Sequence, residues 1–337
     1  MGSLGLRREA MTNHRDLKRI IRERQRKTGE SSTATRAHVM RERTALLGET
    51  DQGPITQEPI MVDAGVLKVN RQSARVRVLG EVGEITFRSR DVWQIVPGHL
   101  VTLAIEKRWS FKGDDYASGG IENPRIAVEK LALTPLSVRD EGLTDLRSDY
   151  EPFEKGDPYL TLWRKLTEHP RPGLSMHPIA WGQFPGAGES LPTCDAAELA
   201  QAGRTEEAYE LLMDVLGRDL RCLDAHAYLG NLEFDHAPDR AILHYEIGVR
   251  IGELSLPPGF DGVLLFGHLY NRPFLRCLHG YGLSLWRLGK LHEAEQVFER
   301  LLSLNPTDNQ GVRLCLSDVR KGRRWEEAQA EEALGRP

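Results

Sequence analysis

From Cys194 onward, apolar residues recur every three to four positions, and small residues recur at fixed offsets within that pattern. Gly203 is followed five residues later by Ala208 and then by Leu212. Gly289 is followed in the same way by Ala294 and Phe298, with Pro306 eight residues beyond. Gly282 stands seven residues before Gly289, and Gly230 takes the matching place in the preceding unit. Small residues at regular positions let two helices cross closely, and a period near 3.6 cannot keep one face of a strand buried. This half of the chain therefore folds as paired helices.

The small-residue register resembles the tetratricopeptide repeat, a 34-residue helix–turn–helix. One unit, about 275–308, carries Gly282, Leu285, Gly289, Ala294, Phe298 and Pro306. The unit before it, about 223–252, carries Leu229, Gly230, Ala241, Tyr245 and Gly248. An earlier unit shows chiefly as Gly203, Ala208, Leu212 and Val215, and a last one retaining Ala328 caps the stack. The segment 254–272, "LSLPPGFDGVLLFGHLYNR", exceeds what the repeat needs, so it either folds back on the core or meets a partner or a second copy.

The resemblance implies a groove lined by the first helix of each unit. Its positions fall on Asp224, Asn231 and Asp235, on Arg276, His279, Leu283, Trp286 and Arg287, and on Arg313, Arg320 and Lys321. Such a groove suits an acidic peptide or a terminal carboxylate, with Asn231 and Arg276 in two of the places some family members use as a clamp. The same arginines also fit a merely solvated face.

Between residues 60 and 133 the period changes to two. "GVLKVN", "ARVRVLG", "GEITFRSR" and "LVTLAIEK" read as strands bounded by turn residues, and "PRIAVEKLAL" at 124–133 as a fifth. Five short strands suggest a small curved barrel, and their succession resembles the oligonucleotide/oligosaccharide-binding (OB) barrel. Lys68, Arg71, Arg75, Arg77, Arg88, Arg90, Lys107, Arg108 and Lys112 are interleaved with Trp93, Trp109, Phe111 and Tyr116. Cations that meet phosphates and rings that stack on bases are what single-strand recognition needs. Aromatics in so small a barrel also fit its core.

The net charge of −4 conceals an asymmetry: residues 1–50 hold 12 Lys/Arg against 6 Asp/Glu, leaving the remainder at −10. Residues 13–27 read as a helix capped by Asn13, with Lys18, Arg22 and Arg26 on its basic face, and 34–47 as a second helix. A basic arm of this kind suits an anionic partner or plain solvation.

The organisation expected is therefore multidomain α+β: a basic helical arm (1–50), a small OB-like β-barrel (58–135), a Pro/Gly-rich connector with one short helix (136–193), and a helical repeat domain (194–335). No run reaches the ~20 apolar residues of a membrane helix, so a soluble cytoplasmic protein is expected. Four scattered cysteines point to reduced thiols. Cys222 and His226 share a helix face, but no ligand set completes a metal site, and "GAGES" at 186–190 lacks the Lys–Ser/Thr of a phosphate loop. No nucleophile is identifiable, and neither a catalytic residue nor a cofactor is expected.

Two functions stand open. In the first, the chain is a non-enzymatic scaffold that captures a protein or peptide through Asn231, Arg276, His279, Leu283, Trp286, Arg287, Arg313 and Arg320. In the second, it binds RNA or single-stranded DNA through Lys18, Arg22, Arg26, Arg75, Arg77, Arg88 and Trp109, while the repeats recruit a protein.

Overall fold

The computed structural model describes residues 58–147, 157, 159–177 and 191–333. The basic helices expected at 13–27 and 34–47, with Lys18, Arg22 and Arg26, lie outside the described residues, as does "GAGES".

Five strands open the described part: β1 (Ile60–Asn70), β2 (Ser73–Val78), β3 (Ile85–Arg88), β4 (His99–Phe111) and β5 (Asp114–Ile126). They close into a barrel in the order β1-β2-β3-β5-β4, with β4 returning to β1 and β3 running parallel to β5. Alternation builds the inside: Ala74, Val76 and Val78 of β2 are buried, while Arg75 and Arg77 between them face outward. Phe87, Ile95, Val101 and Leu103 fill the interior. Closure leaves no unpaired sheet edge to template aggregation, and the order fits the expected OB-like barrel.

The fifth strand is not where periodicity placed it. It starts at Asp114, straight after a tight turn in which Lys112 (φ 54°) and Gly113 (φ 90°) both adopt left-handed backbone. Of the 124–133 segment only the first residues are strand; Val128–Leu131 form a 3-10 turn that buries Val128 and Leu131. The sequence "DDYASGG" hides a strand because only Ala117 and Ile121 of β5 are fully buried, too few to show a period.

The connector also holds more structure than one helix. Besides α1 (Tyr159–Leu166), it contains a two-stranded antiparallel sheet of β6 (Val138–Thr144) and β7 (Arg171–Met176). β6 is almost wholly exposed and so carries no apolar alternation to read.

The remaining helices pair along the chain: α2 (Pro192–Gln201) with α3 (Thr205–Arg218), α4 (Leu223–Glu233) with α5 (Pro238–Glu253), α6 (Arg272–Arg287) with α7 (Leu291–Leu304), and α8 (Val312–Arg320) followed by α9 (Trp325–Ala333). Successive hairpins stack, α4 lying on α6 and α5 also packing on α6. Pro192, Pro238 and Pro273 stand in first turns, where the missing N–H costs nothing. The recurring small residues have a direct cause. A Cβ on Gly230 would come 2.5 Å from Cζ of Tyr245, and one on Gly282 would come 2.4 Å from Cε1 of Phe298.

Barrel and helices share one apolar core, in which Leu67, Val96 and Leu100 join Leu212, Leu216 and Ile247. Gly98 sits hard against Ile247, whose Cγ2 lies 2.5 Å from where a Cβ would be. Around this seat Lys68 pairs with Asp214, Arg71 pairs with Glu206, and Arg240 donates to the Trp93 carbonyl.

The 254–272 insertion packs onto the connector and onto the end of α7. Val263 bridges β7, its N–H donating to Pro172 O at 2.8 Å and its carbonyl accepting from Leu174 N at 3.0 Å. The Leu264 N–H donates to Leu304 O at 2.7 Å, and Leu264 is fully buried. Much of the insertion thus extends the core, with Leu269 and Tyr270 left exposed at its end.

Candidate functional site

The outer face of the barrel concentrates rings and cations. Trp109 on β4 stands directly opposite Tyr116 on β5, and this cross-strand pairing stacks the rings at 5.6 Å with 11° between their planes. Arg88, at the end of the neighbouring β3, places its guanidinium 5.6 Å from the Trp109 centroid and 5.5 Å from that of Tyr116. The Lys107 ammonium lies 6.0 Å from the Trp109 ring, and Lys112 sits 5.5 Å from Phe111, which is 58% exposed. Cations over ring faces are held there by the ring quadrupole and remain available to an anion.

Beside this ladder lies a groove of about 1130 Å³ whose walls include Arg71, Arg88 and Arg90 with Ser73, Ser89 and Glu106. Its floor is the backbone of Gly119 and Gly120, at a bulge where the β4–β5 register shifts between Ile105 and Lys107. Gly119 (φ 154°) allows this approach, since a Cβ there would fall 1.9 Å from Ala104 O. A second cleft of about 390 Å³ opens at Trp109 and Tyr116 on the other side.

The two cation sets differ in what they meet. Arg88, Arg90, Lys107 and Lys112 form no ion pair among the described residues. Arg75 and Arg77, by contrast, converge on Glu84 at 2.5 and 3.0 Å, and Arg108 is paired through both nitrogens with Glu81. Of the barrel residues expected to bind nucleic acid, Arg88 and Trp109 are thus brought together with an open groove, and Arg75 and Arg77 are neutralised. Trp93 and Phe111 are exposed rather than core residues.

The cations expected to line a peptide groove are occupied within the chain. Arg276 pairs with Asp224 at 3.0 Å; burial holds that carboxyl above its usual range while Arg276 pulls it back. Arg287 closes the end of α4, donating to the carbonyls of Phe234 and Asp235, each at 2.9 Å. Arg313 bonds Asp157 at 3.1 Å and Asp308 at 3.0 Å, and Arg320 meets Glu295 and Glu299. The Trp286 indole is buried at 4% exposure, donates to Arg323 O at 2.8 Å, and is met edge-on by Trp325. Asn231 accepts the Tyr245 hydroxyl at 2.6 Å. His279 is partly buried, takes the Gln310 amide on Nδ1 at 3.4 Å and is pushed by desolvation to a pKa of about 4, while Leu283 packs half-buried on the core. These long-range partners gave no signal in the sequence.

A buried polar cluster lies where β4, α4 and α5 meet. His244 is fully buried, with Glu233 Oε2 3.7 Å from its Nε2 and the His226 ring centroid 6.3 Å away. Glu233 Oε1 accepts from Arg240 at 3.2 Å, and His226 Nε2 lies 3.0 Å from Leu220 O. Burial depresses all the imidazoles here, His99 and His226 to about 4. Among the described residues no group of three or more His, Cys, Asp or Glu has a geometry that could hold a metal ion, and no helix is long and apolar enough to cross a membrane.

No family model, no curated protein and no solved structure matches this chain.

Proposed function

We propose that the chain binds single-stranded nucleic acid, RNA or DNA, across the outer face of its barrel. Phosphates are drawn to Arg88 and Arg90 along the groove, beside the Arg71–Glu206 pair, and bases are set against Trp109 and Tyr116. One observation carries the reading: a guanidinium lies over two stacked rings at the edge of a 1130 Å³ groove, and no carboxylate among the described residues pairs with it. Arginine over aromatic rings serves both halves of a nucleotide, the charge by pairing and the base by stacking. The reaction class is non-covalent binding.

The helical hairpins, whose small-residue register resembles the tetratricopeptide repeat, serve in this reading as a platform for a protein partner. A clamp by Arg276, Arg287, Arg313 and Arg320 has less support, because each already meets a carboxylate or carbonyl of the same chain.

Fluorescence anisotropy of a labelled single-stranded oligonucleotide with the full chain, over a series of salt concentrations, tests the reading. Two arginine–phosphate contacts give log K against log salt a slope of about −1.4. Absence of binding at low salt, or binding indifferent to salt, overturns it.

A further inference from the structure

The two cavities beside the Arg88–Trp109–Tyr116 ladder differ in charge. The larger presents Arg71, Arg88 and Arg90 against Asp91 and Glu106. The smaller, about 390 Å³, presents Glu81, Glu84 and Asp115 with the single cation Arg108, over an apolar floor of Val78 and Ile85. Strand alternation sets Ile85 and Asp115 on the inner side of the barrel and Trp109 and Tyr116 on the outer side, so this cleft wraps the barrel's lip beneath the β2–β3 loop.

Most acceptors there are committed. Both oxygens of Glu81 take Arg108, at 3.1 and 3.2 Å, and those of Glu84 take Arg75 and Arg77. Asp115 differs: its Oδ1 accepts the Ser110 hydroxyl at 2.5 Å, and no cation meets it among the described residues. A phosphate is repelled by this carboxylate. A flat, apolar-faced group with an amino edge is favoured, since an ionised carboxylate can only accept.

We infer that the lip cleft seats one nucleobase of the bound strand and selects amino-bearing bases, with Asp115 accepting the amino group. This rests on the nucleic-acid reading and adds a preference to it. Phosphates stay in the arginine groove, and the chain crosses the Trp109–Tyr116 ladder into the cleft. A cytosine edge offers the donor that a carboxylate reads. Uracil presents a carbonyl at the same position, which Asp115 repels.

The test compares oligo-dC with oligo-dU of equal length, whose bases differ at the exocyclic group on C4 and at the proton on N3, by anisotropy with the full chain. Oligo-dC is expected to bind about tenfold more tightly. Asp115→Asn should bring the two together, since its amide can donate to the uracil carbonyl. Circular dichroism checks that the variant is folded; the residue is exposed, so the barrel tolerates the change. Equal affinities in the unmodified chain, or a preference that survives Asp115→Asn, overturn the inference and leave the nucleic-acid reading standing. Failure of both strands to bind at low salt removes the two together.

Discussion

Tyr245 on α5 gives its hydroxyl to Asn231 on α4 at 2.6 Å, while its ring occupies the space that Gly230 and Gly280 leave by having no side chain. One residue thus locks two neighbouring helices and occupies the amide oxygen of Asn231. Replacing Gly230 by Ala sets a methyl 2.5 Å from the ring. Overpacking of this kind costs about 1–3 kcal/mol, more than the helix propensity that Ala restores. Thermal unfolding of Gly230→Ala should show a melting temperature lower by several degrees; an unchanged one would remove Tyr245 from this role.

Asn271 ties the insertion to the connector. Its Oδ1 accepts from Met176 N at 2.8 Å, and its Nδ2 donates to Leu174 O at 3.0 Å and Leu265 O at 3.2 Å. The residue is fully buried, so Asn271→Ala leaves three backbone groups unsatisfied. The expected loss is about 3 kcal/mol or more, read as a lower urea midpoint together with faster amide exchange at Met176.

Acid should weaken the fold through the imidazoles. His99 and His226 stay neutral when folded because burial holds their pKa values at about 4, against 6.5 for an open imidazole. Below pH 6.5 the unfolded chain takes up protons that the folded chain refuses, so stability is full above that pH and falls as pH drops toward 4. The loss is on the order of 3 kcal/mol per imidazole across that window. Urea midpoints between pH 7 and 4.5 check this, and His226→Gln should flatten the curve. A midpoint constant over that range contradicts it.

Trp109 on the barrel and Trp286 in the hairpins should part company on substitution. Trp286→Ala removes a buried indole together with its bond to Arg323 O, a loss of about 3–5 kcal/mol. Trp109→Ala leaves the barrel core intact and weakens oligonucleotide binding by about 1–3 kcal/mol. Denaturation and anisotropy on both variants separate these effects. If Trp109→Ala binds as the unmodified chain does, the ladder is not the platform.

Local patterns were legible, and partnerships across the chain were not. Gly230 and Gly282 announced close helix crossings because each precedes a large residue by nearly the same distance, Tyr245 fifteen and Phe298 sixteen positions on. The alternation of Arg75 and Arg77 with buried valines announced β2. The polar strands β5 and β6 announced nothing, for exposed strands leave no apolar trace. At the site, the residue types of Arg88 and Trp109 were readable. The choice between a vacant arginine and a neutralised one turned on contacts such as Arg276 with Asp224 or Arg313 with Asp157, which lie far apart in sequence. Asp115, the acceptor at the barrel lip, looked like one more surface acid.

Ile247 stands where a side chain at residue 98 would otherwise project, and Leu67, Val96 and Leu100 are buried in the same core as the helices, so barrel and hairpins are joined by packing rather than by a linker. In the proposed function, an oligonucleotide on the strands and a protein on the hairpins would be carried by one packed unit rather than by two tethered ones.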